Sequence, residues 1–281
     1  MKPRIRSLAL LPSLAIVGIG LVFPGLIMLA YSFLRYVPGR ITDFTLTIEN
    51  YLRLFGDFFY LGVVVKTLQL GVIVTVLSLL LAYPVAYYLA RTTSRLKGVL
   101  TYLVFLPMMV GIVVRAYGWI VILGREGLLN TGLQSLGVVD EPVRLLYTMH
   151  AVVLALVEVL LPFMIMPILS SLEKIDRHVE EAARAAGATP MQAFLRVTLP
   201  LSLPGIVSGS LLVFSLSITA YALPALLGGT KVKLIAALAY DAMLVGYNWS
   251  FGSAIGIFMG LVSGTVVYLY LRTTGRRGVA R

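Results

Sequence analysis

Polar and apolar residues in this chain are segregated into long blocks rather than alternating. No charge occurs in residues 7–34, 67–90, 197–230 or 242–271. Each run exceeds the roughly 20 residues needed to cross about 30 Å of hydrocarbon as a helix. Two further apolar stretches are interrupted once each, 99–123 by Arg115 and 145–172 by Glu158. Together they predict six membrane-spanning helices over about 8–34, 62–90, 99–123, 147–171, 203–227 and 246–271. The expected fold is all-α and integral to the membrane, with residues 1–281 as a single transmembrane domain. The first run is longer than the roughly 7–15 apolar residues of a signal peptide and shows no clear cleavage site, so it reads as a retained helix.

Composition narrows the class further. Of 281 residues, 59% are hydrophobic and 12% charged, against about 45–50% and 25% in a soluble domain. A soluble enzyme and a disordered chain are both excluded. The net charge of +11 would suggest nucleic acid in a soluble protein, but here the loops explain it. Lys2, Arg4, Arg6, Arg91, Arg95, Lys97, Lys174, Arg177, Arg184, Arg196, Arg272, Arg276, Arg277 and Arg281 fall on the side of the two termini. Half as many fall opposite: Arg35, Arg40, Arg53, Arg125, Arg144, Lys231 and Lys233. The positive-inside rule therefore predicts both termini in the cytoplasm. The chain has no Cys and only His150 and His178 as histidines, which leaves no thiolate metal site and no His cage. It also lacks a Gly-x4-Gly-Lys-Ser/Thr phosphate loop and any paired carboxylates in a span, which argues against ATP hydrolysis or other catalysis here.

Proline is frequent within the spans, at Pro12, Pro24, Pro84, Pro107, Pro162, Pro167, Pro204 and Pro224. Membrane helices tolerate such kinks where neighbours satisfy the freed carbonyls. Gly252, Gly256, Gly260 and Gly264 recur every four residues and place small residues on one helix face. That face serves close helix packing or lines a channel. There is no internal duplication, so the chain reads as one half of a pathway.

The loop at 173–200, predicted cytoplasmic, is the most informative stretch. Asp176 can cap a first helix on which Val179, Ala182, Ala183 and Ala186 share one face. Arg177 with Glu181, and Glu180 with Arg184, are spaced as i,i+4 pairs. Gly187 supplies a left-handed stop. Thr189, Pro190 and Gln192 then form a capping box with a proline start. Met191, Phe194, Leu195 and Thr198 face one way along the second arm, and Pro200 is expected to end it. The result is a helix–Gly–helix elbow.

Glu181-Ala182-Ala183, three residues, Gly187, nine residues and Val197-Thr198-Leu199-Pro200 resemble the EAA loop of ABC importer permeases. That pattern is Glu-Ala-Ala-x3-Gly-x9-Ile-x-Leu-Pro, and the departure is Val197 for Ile. Residues 161–176, Val114 to Gly118 and Ile48 to Leu52 look like the first permease subunit of spermidine/putrescine importers. The resemblance implies a type I ABC importer permease fold in the bacterial inner membrane. It implies that Glu181, Ala182, Ala183, Arg184 and Gly187 couple the chain to ATPase subunits. It implies as partners a second homologous permease, two ATPase copies and a periplasmic or lipid-anchored solute-binding protein, with no cofactor in this chain and ATP and Mg held by the ATPases. Polyamines are the implied solute; an aminophosphonate, an opine-like compound or another small polar solute are the alternatives. A lone channel or secondary carrier would leave the elbow unexplained.

Ionisable groups at membrane depth are costly and face protein or water. Glu158 has two readings: it attracts a cationic solute in the path, or it is a structural acid, paired with Arg115 or protonated and hydrogen-bonded. In a straight helix Arg115 would lie about 24 Å from the start of its span, near the outer interface where its head can reach water. In span five Ser217, Thr219 and Tyr221 offer hydroxyls and a phenol to a solute, with helix–helix hydrogen bonding as the alternative. In the outer loops Leu128, Leu129, Leu133 and Leu136 suggest a short interfacial helix, on a surface where a solute-binding protein would dock, with ordinary loop packing as the alternative.

Overall fold

The computed structural model describes residues 3–39 and 43–278. Among the described residues the regular structure is helical apart from one short antiparallel pair, β1 (Leu34–Arg35) with β2 (Asp43–Leu46). It groups into two compact units, Met1–Val64 with Ile235–Ser263, and Val65–Leu234 with Gly264–Arg281.

The first unit holds α1 (Pro3–Ser32), the strand pair, α2 (Glu49–Gly56), α12 (Ile235–Tyr240) and the beginnings of α3 (Phe58–Arg91) and α13 (Trp249–Gly278). Asn50 donates to the carbonyls of Ser32 (2.9 Å) and Leu34 (3.0 Å), closing the C-terminal end of α1. The Ser32 carbonyl ends the helix without a partner within it, and the Leu34 carbonyl lies just beyond, so a buried side-chain donor is a natural cap. The core is Leu54, Val63, Ile235, Phe251 and Ile255. The Arg53 guanidinium lies 4.8 Å from the Phe251 ring centroid. The four-residue glycine stripe divides. A Cβ at Gly252 would strike Met243 and one at Gly256 would strike Met28, whereas Gly260 and Gly264 face open space. The first two positions are packing sites.

The second unit is built on α7 (Met149–Glu173), whose Leu156, Met164, Ile165, Ile168 and Leu172 are almost fully buried. Around it lie α4 (Lys97–Phe105), α5 (Ile112–Leu123), α6 (Leu128–Ser135), α8 (Arg177–Ala185), α9 (Pro190–Ala193), α10 (Leu199–Thr219) and α11 (Ala222–Gly228). Two glycines set the approach of α10 to α7. A Cβ at Gly205 would sit 2.5 Å from the Pro167 carbonyl, and one at Gly209 2.8 Å from Met164 Sδ. Backbones come this close only where the side chain is absent. Leu128, Leu129 and Leu133 of the predicted short helix lie on α6, and Leu136 caps its end.

Among the described residues four helices are long and apolar enough to span a membrane, and up to six spans result if each of two bent pairs is one; the predicted first span, 8–34, is not among these. Two predicted spans differ in shape from the expectation. The stretch 99–123 is not one straight helix. Lys97–Met109 and Ile112–Ser135 meet at 93°, because Val110 and Gly111, just beyond the turn that Pro107 opens, leave the helical conformation. The stretch 203–227 breaks at Ala220, which is extended at ψ 131°. The apolar residues beyond it form α11, a 3₁₀ turn and α12 instead of a single helix with an outer loop.

Candidate functional site

The elbow forms from local instructions. Asp176 accepts from the His178 N–H at 3.0 Å to cap α8. Gly187 adopts φ +90°, its N–H donates to Arg184 O at 2.9 Å, and Ala188 N–H donates to Ala183 O at 3.1 Å. These two crossed bonds are a Schellman stop, which requires a left-handed residue at Gly187. Thr189 and Gln192 exchange side-chain and backbone hydrogen bonds at 3.0 and 3.3 Å, completing the capping box with Pro190 at the first turn.

Beyond this the structure corrects three expectations. Pro200 does not end the second arm. A π-turn over Phe194–Thr198 shifts the bonding so that Leu199 donates to Phe194 O, and helix runs continuously over Pro190–Thr219. The π-register absorbs the donor that Pro200 lacks, as π-bulges do. The second arm is therefore the start of the next membrane helix. The i,i+4 pairs do not form either. Glu180 turns to Arg91 at the end of α3 and accepts from Thr198 Oγ1 at 2.8 Å. Arg177 donates to Arg91 O at 2.9 Å, and Glu181 meets His178 at 3.1 Å. Finally, the stripe Met191, Phe194, Leu195, Thr198 splits. Thr198 is buried and Phe194 stands edge-on to Tyr83 and Tyr87, with centroids at 5.7 and 5.8 Å, while Met191 and Leu195 are exposed.

None of the side chains of α8 is buried. Val179, Met191 and Leu195 are exposed apolar groups on the elbow. Glu181 and Arg184 are exposed, and Arg184 has no ion-pair partner among the described residues. Arg91, Glu180 and Ile175, which lie outside the coupling set implied by the sequence, tie α8 to the end of α3. Arg91 also donates to Ile175 O at 3.2 Å. The signal for Arg91 is its position as the first charge after a long charge-free run; its partner lies 89 residues away.

At membrane depth Arg115 and Glu158 approach to 3.5 Å, with side chains 9% and 36% exposed. Arg115 is not near the far end of a straight span, since α5 starts only at Ile112 after the 93° bend. Arg115 Nε and Glu158 Oε2 are buried without a hydrogen-bond partner. Ser217 Oγ donates to Phe214 O at 2.8 Å and Thr219 Oγ1 to Ser215 O at 2.9 Å. These hydroxyls bond their own helix rather than another. Tyr221 lies just beyond the break at Ala220 and is half-buried.

A family model described as the inner membrane component of binding-protein-dependent transport systems matches residues 82–277. The spermidine/putrescine transport system permease protein PotB of Haemophilus influenzae is 39% identical over 251 residues, 89% of this chain and 87% of that protein. PotB of Escherichia coli is 36% identical over 89% of this chain and 91% of its own length. The molybdenum transport system permease ModB of Azotobacter vinelandii is 32% identical over 62% of this chain and 77% of its own length. Among solved structures, a bacterial alginate ABC transporter bound to its periplasmic protein has a chain that aligns with TM-score 0.77 at 22% identity, covering 98% of this chain and 95% of that one. The MetNI methionine ABC transporter aligns with TM-score 0.58 at 20% identity, over 80% of this chain and 100% of that one. These two likenesses are of fold. With its matched segment, its apolar helices and its elbow, this multi-pass chain belongs to the inner-membrane permease components of binding-protein-dependent ABC transport systems.

Proposed function

We propose that this permease forms half of an import pathway for polyamines such as spermidine and putrescine. A second homologous permease supplies the other half. Two ATPase subunits, which hold ATP and Mg, dock on the elbow at 173–200 from the cytoplasm, the side on which both termini lie. A periplasmic or lipid-anchored binding protein delivers the solute from the opposite side. ATP binding draws the ATPases together and moves the elbow, and the spans rock from inward- to outward-open.

The observation that carries this reading is the elbow: a pre-formed helix pair with an unburied face and the left-handed Gly187, continuous with a membrane helix. Ala182 and Ala183 let a partner backbone approach closely, and the exposed side chains of Glu181 and Arg184 can meet charges on it. The solute rests on the PotB relatives. Glu158, Tyr221, Ser217 and Thr219 are the proposed path residues.

A second reading, a different small polar solute, is favoured by the Arg115–Glu158 pair. A carboxylate offset by a guanidinium attracts an ammonium group less than a free one does. Two measurements test the proposal. The ATPase should co-purify with this chain in detergent and be lost in Gly187→Val, whose β-branched side chain is strained at φ +90°. The ligand held by the partner binding protein should be a polyamine. Autonomous transport by this chain alone in liposomes would overturn the subunit reading, and an uncharged or anionic ligand would overturn the polyamine one.

A further inference from the structure

We infer that Arg91 and Glu180 form a positioning joint that transmits movement of the elbow to α3 and α10 together. The inference rests on the elbow being the ATPase-coupling element.

Glu180 joins three segments. It sits on α8, its Oε1 pairs with Arg91 at the end of α3, and the same oxygen accepts from Thr198 in the π-turn that enters α10. Both charged side chains are largely enclosed, 15% and 13% exposed. From the start of α8, Arg177 donates to Arg91 O at 2.9 Å and Ala90 O at 3.4 Å. Those carbonyls end α3, where a cation is stabilised by the helix dipole. A second tie lies further along the same two helices, where the Tyr83 hydroxyl is 3.0 Å from Ser202 Oγ and Phe194 is wedged against Tyr83 and Tyr87.

Stability alone gives no reason for this arrangement. A buried ion pair is weak evidence for stability, because desolvation offsets its attraction and apolar residues of similar volume often serve as well. Here Arg91 Nε is even left without a partner. What the pair supplies is direction. An apolar contact between α8 and α3 could slide, whereas a guanidinium held by a carboxylate and the Ile175 carbonyl fixes where the end of α3 stands relative to α8. Continuous helix from Pro190 to Thr219 carries elbow movement into α10 in any case. The joint adds α3, which has no covalent continuity with the elbow.

The test uses the whole complex, with both permeases, the ATPases and the loaded binding protein, in proteoliposomes. Glu180→Gln and Arg91→Ala leave the exposed face of α8 and Glu181 untouched. They should retain the ATPase and its stimulation by loaded binding protein, while solute imported per ATP falls about tenfold, within the 5–150-fold range of typical coupling between sites. Thr198→Val, nearly isosteric, should lower the same ratio less. It provides the reading if the charge variants fail to assemble. The chain has no cysteine, so an Arg91→Cys/Glu180→Cys double variant can be bridged by a reducible bifunctional thiol reagent. Import per ATP should recover on bridging and be lost again on reduction, a reversal that a merely structural role would not produce. Unchanged import per ATP in these variants, or bridging without recovery, overturns the joint and leaves α10 as the sole route. Retention of the ATPase by Gly187→Val would instead overturn the coupling role of the elbow, a distinct result.

Discussion

Two ion pairs between helices of the second unit invite comparison. Arg91–Glu180 is enclosed on both sides and supported by Thr198 and the Ile175 carbonyl. Arg115–Glu158 is wider, at 3.5 Å, with Arg115 buried, Glu158 36% exposed, and one polar atom on each side chain without a partner. Both arginines stand where a helix stops or turns, one at the end of α3 and the other a turn past the 93° bend. The first arrangement commits one carboxylate oxygen twice, since Glu180 Oε1 serves Arg91 and Thr198 together. The second leaves Glu158 Oε2 buried without a partner, on a side chain that is itself partly exposed. A tightly enclosed pair suits the transmission of position, and a loose one suits exchange of partners with a solute or water.

The largest expected effect breaks the enclosed pair. Glu180→Leu strands the Arg91 charge, and removing one member of a buried pair typically costs about 3–5 kcal/mol. Combining it with Arg91→Met should return most of that loss, because neither charge is then left unpaired. Thermal unfolding of the purified complex, followed by loss of its monodisperse peak, measures both variants. The double variant should be stable yet poorly coupled. If it is no more stable than Glu180→Leu alone, the pair contributes net stability, and its claim to a positioning role weakens.

The contrast also marks what a sequence can and cannot disclose. The caps and the turn of the elbow were legible because they are encoded within a few residues: Asp176 before α8, Gly187 at its stop, Thr189 with Gln192 after it. The positions of the apolar helices were legible because charge is expelled from hydrocarbon. The partners of Glu180 and Arg177 were not. Their i,i+4 neighbours Arg184 and Glu181 were equally well spaced, and the choice fell to α3, 86–89 residues away. The bend at 110–111 and the break at Ala220 were hidden for a related reason. Hydropathy records burial but not direction, and an apolar run reads alike whether it is straight or folded back. Proline was an unreliable guide in both senses: Pro107 adjoins a real break, while Pro200 is absorbed by a π-turn.

A middle-sized effect sharpens the looser pair. Glu158→Gln leaves the more buried Arg115 without a counter-charge, whereas Arg115→Gln leaves a carboxylate on a side chain that is 36% exposed. The first should therefore destabilise more, by about 1–3 kcal/mol, the usual penalty for orphaning a buried polar partner, and the second by less. If Glu158 lies on the solute path, Glu158→Gln also lowers polyamine uptake without loss of assembly. Unchanged uptake in an assembled complex would take Glu158 out of the path and leave the pair as a purely structural feature of the bend.

The smallest effect is the control that gives the comparison its meaning. Lys97 and Glu173 meet at 2.8 Å near the same end of the second unit, joining the start of α4 to the end of α7, but their side chains are 38% and 45% exposed. Distance alone would rank this contact above Arg115–Glu158. Solvent reverses that ranking, because exposed pairs are screened and contribute about 0–1 kcal/mol. Lys97→Ala should therefore leave thermal stability and solute imported per ATP close to those of the unaltered complex, at low and at physiological salt alike. Should Lys97→Ala reproduce the uncoupling expected of Arg91→Ala, the effect would belong to the positive charge of this face as a whole. Enclosure of Glu180 would then no longer separate a joint from a surface contact.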